Sequence, residues 1–128
     1  MEVYRASTVV IEYDSSSKIL FQNWSGFSSS EVFRKAIDKT VEFIKNNSVK
    51  AILNDTLAQN VVKPEDTEYA SAQMPTLFQN GLKAMAIVVP QSIFTKMSLK
   101  KFEQESKGAN LRMFTSKDEA KKWINGLS

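Results

Sequence analysis

A short apolar run over Val49–Leu53 predicts a buried strand, and polar residues follow it directly. These are Asn54, Asp55 and Thr56. Open α/β sheets usually bind ligands just past the carboxyl ends of their strands, so these residues are the first candidates for contacting a ligand or partner. The alternative interpretation is that Asp55 and Thr56 only organise a turn by capping backbone groups.

Other chemistry is restricted by what the chain lacks. The 128 residues include no histidine and no cysteine, which excludes Cys/His zinc sites, disulfides, thiolate nucleophiles and imidazole bases. Asp55 could pair with Glu65 or Asp66 around a hard cation, but no EF-hand spacing is present. The four glycines form no phosphate-binding loop. We expect no metal, no cofactor and no catalytic residue; an enzyme using paired carboxylates is the third hypothesis.

Aromatic and thioether side chains form a second group of candidates. Trp24, Tyr69 and Phe78 could line an apolar cavity or a dimer surface, although inward aromatic residues are more often plain core. Trp123 fits the inner stripe of a C-terminal helix and needs no other explanation. Four methionines would suit an adaptable pocket or fill the core. They are Met74, Met85, Met97 and Met113.

The charge distribution is uneven. Residues 82–128 hold 9 Lys/Arg against 4 Asp/Glu, whereas residues 1–81 hold 8 against 10, within a net charge of +3. Lys100-Lys101 and Lys121-Lys122 are interpreted as solvated helix faces, because no base-stacking or base-reading motif accompanies them. We expect no nucleic-acid partner. No apolar run reaches a membrane-spanning length and no cleavage site follows the N-terminus, so we expect a cytoplasmic protein.

The elements alternate along the chain as β-β-α-β-α-β-α-β-α. Val3–Tyr13 and Ile19–Trp24 predict an antiparallel hairpin around the polar turn 14–18. Ser28 with Glu31 is a capping box that begins a helix ending near Asn46-Asn47. Later elements follow the same rules of capping and periodicity. They are a helix from Pro64 to Asn80-Gly81 broken by Pro75 near Met74, a central strand over Leu82–Val89, a helix over Ser92–Ser106 closed by Gly108, a strand over Leu111–Phe114, and a helix capped by Ser116 with Glu119.

This order predicts one α/β domain over residues 1–128. Its sheet is mixed, with an N-terminal antiparallel hairpin followed by βα units whose strands are parallel, and about four helices pack on it.

Several motifs lie at matching places in that order. They are Trp24-Ser25-Gly26 after the second strand, Leu53-Asn54-Asp55 ending the third, Pro75 with Gly81 before the apolar Met85–Val89 run, and the ending from Phe114 through Glu119-Ala120 to Trp123-Ile124. Together they resemble the STAS/SpoIIAA-like superfamily from about Val9 to Leu127. The resemblance implies a small α/β sandwich that acts as an anti-sigma-factor antagonist in bacterial regulation or, in a CRAL-TRIO-like manner, binds lipids and other apolar ligands.

In the phosphoswitch branch of that family a serine follows an aspartate at the start of the second helix. The matching pair here is Asp66-Thr67, so the resemblance implies Thr67 as the phosphorylation site. Glu68-Tyr69 replaces the usual small residues that follow. Phosphate on Thr67 would also be repelled by Glu65, Asp66 and Glu68, which places the switch in doubt.

The sequence therefore predicts a non-enzymatic regulatory module that binds a protein partner and forms a homodimer. The alternative is a carrier of a small apolar ligand or lipid. That function would need an enclosed apolar cavity of roughly 300 Å³ or more.

Overall fold

A computed structural model describes residues 1–89 and 110–127. Within these ranges six strands form one sheet in the order β1-β2-β3-β4-β5-β6. The first three strands are antiparallel, and β3 through β6 are parallel. The strands are β1 (Glu2–Ala6), β2 (Val9–Asp14), β3 (Ile19–Gly26), β4 (Ala51–Gln59), β5 (Ala84–Val88) and β6 (Leu111–Phe114). The helices are α1 (Ser30–Asn46), α2 (Pro64–Ala72), α3 (Met74–Gln79) and α4 (Lys117–Asn125). The expected mixed α/β sheet is confirmed.

The predicted first strand over Val3–Tyr13 is wrong in one respect, because this segment forms two strands. Ala6 pairs with Val9 across a turn at Ser7-Thr8. The turn contains neither glycine nor asparagine, the residues that most strongly indicate a two-residue hairpin. The sequence therefore gives no signal that would divide the segment into two strands. The N-terminal region is consequently a three-stranded meander.

Helix α1 begins one residue later than the capping box predicts. The N-cap is Ser29, whose hydroxyl accepts a hydrogen bond from the Val32 amide at 3.2 Å. Ser28 Oγ instead lies 2.7 Å from Thr8 Oγ1 and joins the helix start to the β1–β2 turn. Adjacent serines offer the same capping chemistry, so this tertiary contact accounts for the difference.

The helix that begins at Pro64 breaks as expected. It ends at Ala72, and α3 begins at Met74 after Gln73. Pro75 has no N–H to donate to the Ser71 carbonyl, so a continuous helix would lose a hydrogen bond there. Separating α2 from α3 avoids that loss.

Strand β4 is longer than Val49–Leu53, which changes the place of the candidate site. It continues to Gln59, so Asn54, Asp55 and Thr56 belong to the strand and not to a loop after it. Asn54 and Asp55 pair in parallel register with Ile87 and Val88 of β5. The backbone hydrogen bonds of this pairing keep polar residues extended where their composition favours a turn.

Helices cover both faces of the parallel region. Strand β5 is buried along its whole length and pairs with β4 on one side and β6 on the other, as expected for an interior strand. Ile52 faces the core under α1, α2 and α3, whereas Leu53 faces the smaller core under α4. The alternation of side chains along β4 thus divides the interior into two layers.

The C-terminal predictions have mixed outcomes. Strand β6 occupies the predicted Leu111–Phe114, and Ser116 caps α4 by accepting a hydrogen bond from the Glu119 amide at 3.1 Å. The predicted helix over 92–106 and its cap at Gly108 lie outside the described residues.

We expect Ile52→Ala to lower the free energy of unfolding by about 2–5 kcal/mol. The Ile52 side chain has no exposed surface, so its truncation leaves a cavity in the core. The matched variant Leu57→Ala, on the same strand but 48% exposed, should change it by no more than about 0.5 kcal/mol. Urea unfolding followed by circular dichroism measures both. Equal effects of the two variants would contradict the register of β4.

Candidate functional site

A partly enclosed cavity of about 50 Å³ lies between the sheet and the three helices α1, α2 and α3. Its walls are mostly apolar, and none of the side chains that line it carries a charge. The lining residues are Gln22, Trp24, Phe33, Ile37, Thr40, Val41, Ile52, Asn54, Gln59, Val62, Thr67, Ala70, Gln73, Met74, Leu77 and Met85.

Polar atoms nevertheless enter this cavity from the sheet. Gln22 and Asn54 are register partners on β3 and β4. Gln22 Nε2 donates to Thr40 Oγ1 at 2.7 Å, and Thr40 in turn donates to the Ala36 carbonyl at 3.0 Å. Asn54 Oδ1 and Trp24 Nε1 are both buried and make no hydrogen bond. Sequence reasoning selected Asn54 and Trp24 but missed Gln22 and Thr40, which looked like ordinary strand and helix positions.

The other members of the predicted polar cluster point elsewhere. Asp55 Oδ1 accepts a hydrogen bond from the Leu57 amide at 3.1 Å, a local arrangement of the kind expected from turn capping. Thr56 is fully buried and donates to the Val88 carbonyl at 2.7 Å, which ties β4 to the end of β5. Asn54 alone of the three lines the cavity.

A charged network joins α1 to α2 beside the cavity. Asp66 is buried, and its two carboxylate oxygens accept hydrogen bonds from Ser30 Oγ at 2.8 Å and Arg34 Nε at 3.0 Å. The Arg34 guanidinium also lies 4.8 Å from the centre of the Tyr69 ring. The Tyr69 hydroxyl donates to Asp38 Oδ1, so Tyr69 takes part in a helix-to-helix contact and does not line the cavity.

The remaining aromatic and methionine candidates separate by layer. Phe78 is half-buried against the core under α1–α3, whereas Trp123 packs on Phe114 in the opposite layer at a ring distance of 5.6 Å. Met74 and Met85 line the cavity and Met113 packs against the same core. Met97 lies outside the described residues.

Three large apolar side chains are exposed at the carboxyl end of β3 and β4. Phe27, Leu57 and Val61 are 54%, 48% and 44% exposed, and we call them the carboxyl-edge patch. The Asn60 amide donates to the Gly26 carbonyl at 2.9 Å, which holds their two segments together, and the Lys63 ammonium lies 5.7 Å from the centre of the Phe27 ring. Sequence reasoning missed this patch, because its members are scattered between predicted elements.

No protein-family model matches the sequence, and no curated protein matches it. Among solved structures, that of the anti-sigma factor antagonist SpoIIAA in its unphosphorylated form superposes with a TM-score of 0.70. The match covers 94% of this chain and 98% of that one at 11% sequence identity. The chain has the SpoIIAA-like fold. The resemblance noted in the sequence is thereby confirmed at the level of the fold.

Thr67 is the phosphorylation site that the sequence resemblance implies. It is 3% exposed, and its hydroxyl donates to the Lys63 carbonyl at 3.3 Å from within the first turn of α2. A kinase would need that turn to open before it could reach the hydroxyl. Phosphorylation of Thr67 stays a prediction that this packing disfavours.

In the described part of this SpoIIAA-like chain, no helix has the length and apolar character that crossing a bilayer requires.

We expect Asp66→Ala to lower the free energy of unfolding by about 1–3 kcal/mol, because Ser30 and Arg34 lose their shared acceptor. Glu65→Ala, at the exposed neighbouring position, should stay within about 0.5 kcal/mol of the parent. Urea unfolding distinguishes the two variants. An unchanged free energy of unfolding for Asp66→Ala would show that the network contributes no stability.

Tyr69 should ionise above its ordinary pKa of 10.0, because its hydroxyl donates to the Asp38 carboxylate and burial adds to the effect. A pKa raised by folding means that this contact stabilises the protein at neutral pH and is lost as pH rises through the folded value, above about 10. Phenolate absorbance, taken as the difference from Tyr69→Phe, measures it. Asp38→Asn should bring the pKa of Tyr69 back towards 10.0; an unchanged titration would remove Asp38 as the cause.

Proposed function

We propose that this protein is a non-catalytic regulatory module that binds a partner protein through the carboxyl-edge patch. The observation that carries the proposal is the exposure of Phe27, Leu57 and Val61 together at one end of the sheet. Large apolar side chains that are grouped and exposed mark interaction sites, since leaving them in water costs free energy that a partner recovers. SpoIIAA, a protein of the same fold, is described as an anti-sigma factor antagonist, a role exerted on another protein.

The patch combines an aromatic side chain with a neighbouring positive charge. Phe27 supplies an aromatic anchor, and the Lys63 ammonium lies over its ring. A partner with an apolar centre and an acidic group opposite Lys63 fits this surface.

The lipid-carrier alternative receives no support from the interior. The cavity of about 50 Å³ falls well below the roughly 300 Å³ at which pockets for drug-sized ligands begin. Protein binding is therefore the better-supported function. Homodimer formation and a cytoplasmic location stay predictions, and sedimentation of the purified chain tests the first of them.

The proposal is tested with a double variant, Phe27→Ser with Leu57→Ser, expressed in the native host beside the parent chain. We expect a partner that co-purifies with the parent to be lost from the double variant. With that partner purified, its dissociation constant should rise by about thirtyfold or more, as for loss of an interface anchor.

Two controls keep this result specific. Ala58→Ser changes an exposed residue between the patch members without removing a large side chain, and it should bind like the parent. Circular dichroism should show the same fold in all three chains. A partner that binds the double variant as tightly as the parent would refute the patch as the interface.

A further inference from the structure

We propose that the cavity beneath α1–α3 is a binding site for a small uncharged ligand that carries a hydroxyl group on an apolar body. The site is separate from the carboxyl-edge patch. Failure of this ligand-site proposal would therefore leave the proposed protein-binding function unaffected.

The first argument is the pair of unpartnered polar atoms in the cavity wall. Trp24 is only 4% exposed, yet its Nε1 has no hydrogen-bond partner, and the same holds for Asn54 Oδ1. Buried polar groups in proteins almost always have partners, and exceptions call for a specific explanation. Both side chains line the cavity, where a bound molecule can contact them.

The chemistry of these two atoms selects the polar group of the ligand. An indole Nε1 can only donate a hydrogen bond, and an amide oxygen can only accept one. A hydroxyl group accepts through its lone pairs and donates through its hydrogen, so it has the chemistry to pair with either atom. A group that only accepts could pair with Trp24 Nε1 alone, and a group that only donates could pair with Asn54 Oδ1 alone.

The rest of the cavity lining indicates that the ligand is uncharged and has an apolar body. No acidic or basic side chain lines the cavity, so an ionised ligand would lose its hydration without gaining a counter-charge. Ile37 of α1, Ala70 of α2 and Leu77 of α3 present apolar surface. The volume of about 50 Å³ admits a ligand of about three heavy atoms. Alcohols of one or two carbons have these properties.

A second pair of polar side chains in the cavity wall, Gln22 and Thr40, is held in a fixed position by hydrogen bonds. Gln22 Nε2 is held by Thr40, which is itself held by the Ala36 carbonyl, and both residues are buried. Gln22 stands next to Asn54 in the sheet. Two adjacent strands therefore each place an amide on a face that is otherwise apolar.

Nuclear magnetic resonance of the full ¹⁵N-labelled chain tests the site, with ethanol as the probe. The chain has two tryptophans, and Trp123 packs against the opposite layer, so its indole N–H is an internal control. We expect the Trp24 indole signal to shift saturably with a dissociation constant on the order of tens of millimolar while that of Trp123 stays in place. Acetate and ethylammonium should produce no saturable shift of the Trp24 signal.

Variants identify the hydrogen bonds. Trp24→Phe removes the donor while enlarging the cavity, so weaker binding cannot come from lost space. Asn54→Leu removes the acceptor at nearly constant size. Backbone amide shifts should show that ethanol binds at least about tenfold more weakly to each variant and equally well to the matched variant Trp123→Phe. Asn54→Leu keeps the test valid if Trp24→Phe does not fold.

Crystals of the full chain, grown without alcohol and then soaked in ethanol, distinguish a ligand site from a hydrated one. Electron density for the alcohol, with its oxygen hydrogen-bonded to Trp24 Nε1 or Asn54 Oδ1, supports the proposal. Ordered waters that pair both atoms and resist displacement would overturn it. Equal shifts of the two indole signals, or equal binding of acetate, would overturn it as well.

Discussion

Parallel pairing of β3, β4 and β5 is the constraint on which the rest of the structure depends. Parallel strands are joined by crossovers that place helices on the sheet, and both faces of the central strands are then buried. Helix α1 connects β3 to β4, and the broken pair α2–α3 connects β4 to β5. Helices α1, α2 and α3 pack on one face, and α4 packs on the other. The meander of β1 and β2 extends the sheet beyond the doubly covered region.

Because both faces of the central strands are buried, each buried polar side chain of β3 and β4 needs a hydrogen-bond partner. A polar side chain without one lowers the stability of the fold. Gln22 donates a hydrogen bond to Thr40, and Thr56 donates one to the Val88 carbonyl. Trp24 Nε1 and Asn54 Oδ1 have no such partner, although they lie in the same layer. Among the residues that the structure describes, these two unpaired atoms belong to side chains that line the cavity, which is where a ligand can bind.

The surface and the interior of this protein differ in the kind of molecule that each can contact. Phe27, Leu57 and Val61 are exposed apolar side chains at one end of the sheet, whereas the cavity is uncharged, small and partly enclosed. The similarity to SpoIIAA at 11% identity concerns the path of the backbone. Function must be argued from the side chains that this chain places on that backbone.

The sequence by itself determined the antiparallel start of the sheet, its parallel core and the helix break at Pro75, because apolar periodicity and proline chemistry act locally. It also selected Trp24 and Asn54 as site candidates. Tertiary structure alone decided the turn at Ser7-Thr8, the choice of Ser29 over Ser28 as N-cap, and the extension of β4 to Gln59. These features depend on pairing with distant residues, whose hydrogen bonds outweigh local propensity. The cavity and the carboxyl-edge patch arise for the same reason, since each combines residues far apart in the chain.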